Sequence, residues 1–149
     1  MKVKIKKLAD NAVIPTYATD GSAGMDLTAT SKEIDNEGNI VYGTSLAFEI
    51  PRGYVGLVFP RSSNAKKALI LTNSVGVIDS DYRGEVTLKF KPFLSSFGGM
   101  SFHNPAKYYE VGDRVGQIVI VPYPAIEFEE AEELTETQRG EGGYGSSGK

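Results

Sequence analysis

The chain has no cysteine and only one histidine, His103. Without thiols there can be no disulfide, thiolate nucleophile, iron–sulfur cluster or Cys-type zinc site. One imidazole cannot build a multi-histidine metal centre. No run of about 18 apolar residues occurs, so no helical membrane span is expected. The first eight residues, Met1 to Leu8, are basic but alternate apolar and charged side chains, with no apolar stretch behind them. They read as a first strand rather than a signal peptide, and a soluble cytoplasmic protein is the expectation. Strong charge of one sign is also missing from the body. Residues 1–126 carry 14 Lys and Arg against 12 Asp and Glu, whereas residues 127–149 carry 2 against 7. So mild a basic excess argues against binding to long nucleic acid. The acidic stretch Glu127–Glu136 reads as a solvated face.

What is present is β-structure. At 149 residues the chain is of one-domain length, enough to bury roughly 68% of its unfolded surface. Leu46, Phe48 and Ile50 alternate with Ala47 and Glu49, and Val86, Leu88 and Phe90 with Thr87 and Lys89, the period of half-buried strands. Tyr54–Phe59 and Val115–Val121 are nearly continuous apolar runs, which predict strands buried on both faces. Glycine and proline, 17 and 7 in number, are spread along the chain as turn punctuation. Only Ser62–Leu69 looks helical, with Ser62 or Ser63 as its N-cap. Glu129–Leu134 follows Ile126 and Phe128 and reads as the frayed end of a strand. Many short strands with frequent turns predict an all-β sandwich or closed barrel. Beyond Glu136 the chain loses its apolar content, so residues 1–136 form the domain and 137–149 a flexible Gly-rich tail.

Five segments offer chemistry. The tail from Arg139 to Lys149 holds five glycines, two serines, an arginine and Tyr144. Its backbone N–H groups and the planar Arg139 suit an anion, and Tyr144 suits stacking on a base. Gly143–Lys149 fits G-x-x-x-x-G-K, but no Ser/Thr and no helix follow, so it is not a Walker loop. A plain flexible linker is the other reading. In the second segment, Asn73–Val86, an apolar strand enters a Ser-Asp-Tyr-Arg-Gly turn and an alternating strand leaves it, which predicts a β-hairpin. Asp79 there is either a general base for water or a cap for turn amides. Third, Pro60-Arg61-Ser62-Ser63 ends a strand and opens the short helix, as an anion site or a simple cap. Fourth, Asp26 in Ala23-Gly-Met-Asp-Leu sits within an apolar strand pattern and needs a cation or donors. Fifth, Gln117 in Gly112-Asp-Arg-Val-Gly-Gln is one amide in an apolar strand, the pattern of a satisfied core glutamine.

In this order and spacing the five segments resemble the motifs of the homotrimeric deoxyuridine triphosphatases, the dUTPases, over about residues 13–148. The resemblance implies a jelly-roll-like β-barrel or sandwich subunit of the dUTPase β-clip type, with one short helix. It implies a homotrimer whose sites combine segments of different subunits, and Mg²⁺ as cofactor. The implied reaction is hydrolysis of dUTP to dUMP and pyrophosphate. Position by position, it makes Asp79 the base for the water attacking the α-phosphorus and packs Tyr82 on the deoxyribose. Asn73, Val77, Ile78 and Thr87 fall where uracil is read, and Gly76 among the substrate-binding positions. Arg61, Ser62, Ser63 and Gln117 fall on the phosphate side, Arg139 and Ser146 near the γ-phosphate, Tyr144 over the base, and Gly145 among the substrate-binding positions. Asp26 reaches Mg²⁺ through water. No long nucleic acid and no membrane partner are implied.

The pattern departs from the family at Ser63 and Gly116, where Gly and Ala are usual, at Tyr144, where Phe is usual, and in the acidic Glu141. The 92–107 connection is also longer than usual. The related dCTP deaminases carry a catalytic Glu ten residues beyond the aspartate matching Asp79. Lys89 stands there instead, against deamination.

Overall fold

The computed structural model describes residues 1–93, 95–97, 100–102 and 108–143. Its strands in chain order are β1 (Lys4–Lys7), β2 (Met25–Thr28), β3 (Ser31–Ile34), β4 (Ile40–Gly43), β5 (Leu46–Glu49) and β6 (Tyr54–Phe59). After one short 3-10 helix, Ser62–Lys66, come β7 (Leu69–Leu71), β8 (Gly76–Ile78), β9 (Thr87–Pro92), β10 (Ser95–Phe97), β11 (Met100–Phe102) and β12 (Arg114–Pro122). Two antiparallel four-stranded sheets dominate, ordered β2-β12-β6-β8 and β3-β4-β9-β7, with β1 paired to β5 and β10 to β11. The subunit is all-β and jelly-roll-like.

Alternation explains the layers, because successive side chains on a strand point to opposite faces. Leu27, Val58, Val115 and Ile118 of the first sheet meet Ile40, Tyr42, Leu69, Leu71, Leu88 and Phe90 of the second in one buried cluster. Each such aliphatic side chain contributes about 1.5–3 kcal/mol when fully buried. Tyr42, Phe90 and Tyr109 form an aromatic triad with ring centroids 5.8–5.9 Å apart. The Tyr42 hydroxyl donates to the Tyr109 carbonyl at 3.0 Å, so its one polar atom is satisfied inside the core. The expected strands around Phe48 and Leu88 are both present as β5 and β9; β9 alternates, whereas β5 buries Ala47 along with Leu46 and Phe48.

Four local expectations need correction. The helix is a 3-10 turn ending at Lys66, because buried Ala68 and Leu69 draw the chain into β7. Its N-cap residue is Arg61, with no side-chain cap bond, so neither Ser62 nor Ser63 caps it. The β8 and β9 strands do not pair as a hairpin: β8 pairs with β6, and β9 with β4 and β7, in different sheets. β6 buries only Gly56 and Val58 and β12 only Val115, Gly116 and Ile118, leaving Val55, Leu57, Phe59, Val119 and Val121 half-buried in the isolated chain. Finally, strand structure ends at Pro122. Ile126, Phe128 and Leu134 are exposed, with Phe128 at 94%, so Glu129–Leu134 is not a strand end.

Candidate active site

The first group of candidates is built by three neighbouring strands. Asp26 on β2 stands in register with Gln117 on β12, which stands opposite Phe59 at the end of β6. Arg61 follows two residues beyond Phe59 and turns back onto Asp26. Its Nε donates to Asp26 Oδ1 at 2.6 Å and its Nη2 to Oδ2 at 3.4 Å. A second cation, Arg114, donates from Nη1 to the same Oδ2 at 3.1 Å. The Asp26 side chain is 24% exposed, so its charge is compensated by two guanidiniums rather than by water alone.

The rest of this group is held by the same loop. Arg61 Nη1 donates to Ser63 Oγ at 3.3 Å, while Ser62 is exposed. Gln117 Nε2 donates to the Pro60 carbonyl at 3.1 Å, the satisfied glutamine its sequence context suggests. Gln117 lies so close to the backbone of Gly24 that a Cβ there would stand 2.7 Å from its Oε1; the glycine is a spatial requirement. Beneath the loop, the Tyr109 hydroxyl donates to Asn64 Oδ1 at 3.3 Å. Burial raises the Tyr109 phenol pKa, with the Ser63 bond and Arg61 charge opposing that rise. At Gly116, where Ala is the family norm, a Cβ would collide with Leu88 Cδ2.

Arg114 escapes a sequence reading for a definite reason. Strict alternation puts residues three apart, such as Arg114 and Gln117, on opposite faces. The register shifts between Arg114 and Gly116: Arg114 pairs with Thr28, Gly116 with Leu27 and Gln117 with Asp26. That β-bulge brings Arg114 and Gln117 to the same face.

The second group sits elsewhere. Asp79 follows β8, which is bonded along one side to β6, and it opens an exposed turn. Tyr82 N donates to the Asp79 carbonyl at 3.2 Å, and the Tyr82 hydroxyl to the Glu85 carbonyl at 3.0 Å. Arg83 Nη1 donates to the carbonyls of Ser80 and Tyr82, at 2.7 and 2.9 Å. Glu85, absent from the sequence expectations, accepts a 2.6 Å bond from Ser45 N, where the backbone has φ 52°. The turn is thus tied to the β4–β5 corner. Val77, Ile78, Asp79, Tyr82 and Thr87 line a hollow of about 220 Å³. Thr87 is shared with a second hollow of about 210 Å³ that contains Thr72, Asn73 and Lys89. A Cβ on Gly76 would stand 3.2 Å from Val58 Cβ and 3.3 Å from Asn73 Nδ2.

The two groups do not meet within one chain. Ile78 pairs with Gly56, so Asp79 stands level with Val55, at the opposite end of β6 from Arg61. The strand from Val55 to Phe59 alone spans roughly 13 Å. Arg139 donates from Nε to the Gly142 carbonyl at 2.8 Å within its own exposed turn, apart from both groups. Tyr144, Gly145 and Ser146 lie outside the described residues. Among the described residues no three Asp, Glu or His side chains converge as a metal cage. Both Asp26 oxygens accept from arginines, so this carboxylate alone is not a free inner-sphere ligand, and Mg²⁺ would be held chiefly by water and phosphate oxygens. No helix of the described residues is long and apolar enough to cross a membrane.

An antiparallel β sandwich with an arginine–carboxylate cluster at one strand end and an aspartate–tyrosine turn at the other defines the class. The family model described as dUTPase matches residues 10–148, and the chain belongs to that family. Deoxyuridine 5'-triphosphate nucleotidohydrolase of Nautilia profundicola is 42% identical over 151 residues, covering all of both chains. Its counterpart from Anaplasma marginale is 42% identical over 154 residues, covering 99% of each. Among solved structures, Staphylococcus bacteriophage 80alpha dUTPase with dUPNHPP matches with TM-score 0.77 and 29% identity, over 99% of this chain and 98% of that one. A mutant dUTPase from phage phi11 of S. aureus, described with a structural Mg(II) ion, matches with TM-score 0.71 and 27% identity, over 90% and 99%.

Proposed function

We propose that this protein hydrolyses dUTP to dUMP and pyrophosphate, with Asp79 as the general base. The observation that carries the reading is the separation of its two groups of side chains. The triphosphate-side residues Asp26, Arg61, Ser63 and Gln117 cluster at one end of β6. The nucleoside-side residues Asn73, Val77, Ile78, Tyr82 and Thr87 gather with Asp79 around the hollows at the other. One subunit then supplies two halves of different sites, and a homotrimer brings complementary halves together. The half-buried apolar row Val55, Leu57, Phe59, Val119 and Val121 is suited to contact between subunits.

In the assembled site Tyr82 stacks against the deoxyribose and excludes a 2′-hydroxyl. Gly76, Val77 and Ile78 offer edge-strand backbone groups to the uracil beside Asn73 and Thr87. Asp79 takes the proton of the attacking water as the oxygen bonds to the α-phosphorus and pyrophosphate leaves. Arg61, Ser62, Ser63 and Gln117 hold the phosphate oxygens, and Asp26 would help to hold Mg²⁺ through water. When bound, Mg²⁺ supplies neutralisation of oxyanion charge. Residues 137–149 act as a covering segment beyond the 1–136 domain, with Arg139, Gly145 and Ser146 toward the γ-phosphate and Tyr144 over the base. A cytoplasmic enzyme of this kind limits uracil in DNA and supplies dUMP for thymidylate synthesis. Pyrophosphate release measured in parallel with dUTP, dCTP, UTP and dTTP tests the reading. Strong turnover of dUTP alone is expected; turnover of dCTP or none at all overturns it.

A further inference from the structure

The second hollow holds a residue to which the reaction above gives no role. Thr87 and Lys89 share the outward face of β9, while Leu88 and Phe90 between and beyond them are buried. Lys89 and Thr87 line the 210 Å³ hollow with Thr72 and Asn73. A lysine on an exposed strand face is ordinarily a mobile point charge. This one is tethered: its Nζ lies 3.1 Å from Asp35 Oδ2. Asp35 is itself fixed by the N–H groups of Glu37 and Asn39, at 3.1 and 2.9 Å, and by Asn39 Nδ2 at 3.0 Å. Lys89 thus borders the hollow together with Thr72, Asn73 and Thr87, while its ammonium is paired with Asp35 of the β3–β4 turn.

Resting on the proposed function, we infer that Lys89 is a specificity-determining residue for the base, its ammonium donating to a 4-oxo group and rejecting a 4-amino group. An ammonium has three donors and no acceptor. One donor is committed to Asp35, and the remaining two suit a carbonyl oxygen. The exocyclic amine of cytosine is also a donor, so it meets like with like and loses its hydrogen bonds to water without replacement. Asp35 acts here as a positioning residue, since it touches Lys89 and lies outside the hollow's lining.

The test compares dUTP with dCTP by steady-state kinetics, and dUMP with dCMP by calorimetric binding, for wild type, Lys89→Met, Lys89→Arg and Asp35→Asn. In Lys89→Met the uracil-over-cytosine ratio should fall by about 10-fold or more in both assays, the loss falling on KM rather than kcat. Lys89→Arg should retain most of the preference, and Asp35→Asn should give an intermediate ratio. A ratio in Lys89→Met within twofold of wild type, in a variant with wild-type circular dichroism and Tm, overturns the assignment. A wild-type protein that binds dUMP no better than dCMP overturns it as well. A wild type that prefers dUMP yet releases no pyrophosphate from dUTP overturns only the hydrolytic reading.

Discussion

Arg61 and Asp26 form a two-point ion pair, Nε to Oδ1 at 2.6 Å and Nη2 to Oδ2 at 3.4 Å. Arg114 adds a third bond to the same carboxylate. The pair fixes the guanidinium plane of Arg61 while leaving its Nη1 on Ser63, so this cation is held in place before any ligand arrives. Preorganised donors are the largest single source of charge stabilisation in such reactions.

Replacing Arg61 by Ala should therefore cost about 10²–10³ in kcat/KM for dUTP. The stability loss should be small, about 0–1 kcal/mol, because the pair is partly solvated and Arg114 still neutralises Asp26. Activity titrations with Mg²⁺ and thermal melts of the same preparations check both halves. An Arg61→Ala enzyme with wild-type kcat/KM would place the triphosphate elsewhere.

Asp79→Asn should bind dUTP with near-normal affinity and lose about 10²–10⁴ in turnover, the usual contribution of a positioned base. The amide keeps the size of the side chain but cannot take the proton of water. Single-turnover kinetics alongside equilibrium binding separate the two effects. Near-normal chemistry in this variant would remove Asp79 from the mechanism.

Tyr42→Phe should destabilise the fold by about 1–3 kcal/mol, since the buried Tyr109 carbonyl loses its donor. Burial pushes the Tyr42 phenol well above its ordinary range. The folded state therefore keeps a proton that the unfolded chain releases above about pH 10. Stability from this group is complete below pH 10 and is lost as pH rises toward the folded pKa. Denaturant midpoints at pH 8 and pH 11 should fall further in wild type than in Tyr42→Phe. Equal declines in the two proteins would assign the alkaline loss to other groups.

Deleting residues 138–149 should leave Tm almost unchanged while removing most activity. Arg139, Gly140 and Glu141 are exposed, and Tyr144 is the one large apolar side chain in the sequence of this segment. Because the proposed sites draw segments from different subunits, mixing tail-deleted subunits with Asp79→Asn subunits should restore part of the activity. Native mass spectrometry confirms exchange. A mixed sample no more active than its two parents would rule out a donated tail.

Strand alternation was readable because it is written locally. Leu46, Phe48 and Ile50, and likewise Val86, Leu88 and Phe90, lie in the core as the period requires, although Ala47 is buried as well. The turn carrying Asp79 and Tyr82 was equally visible. Its setting was not. The strand before it and the strand after it belong to different sheets, and nothing near residue 80 states that β8 prefers β6. The shortening of the helix at Lys66 came from the burial of Ala68 and Leu69, a long-range demand that overrides local propensity.

By itself the sequence determined the all-β class, the order of the five motifs and the choice of Asp79, Asp26, Arg61 and Gln117 as the residues to examine. Those are properties of side-chain type and spacing. The tertiary structure decided which of them touch. It added Arg114 to the Asp26 cluster through a bulge in β12, anchored the turn of Asp79 and Tyr82 through Glu85 and Ser45, and tethered Lys89 to Asp35. It also set Asp79 and Arg61 at opposite ends of β6. Spacing along a chain fixes which way a side chain points within its own strand. Register, bulges and sheet membership depend on partners tens of residues away, and they are selected by the burial of the core as a whole.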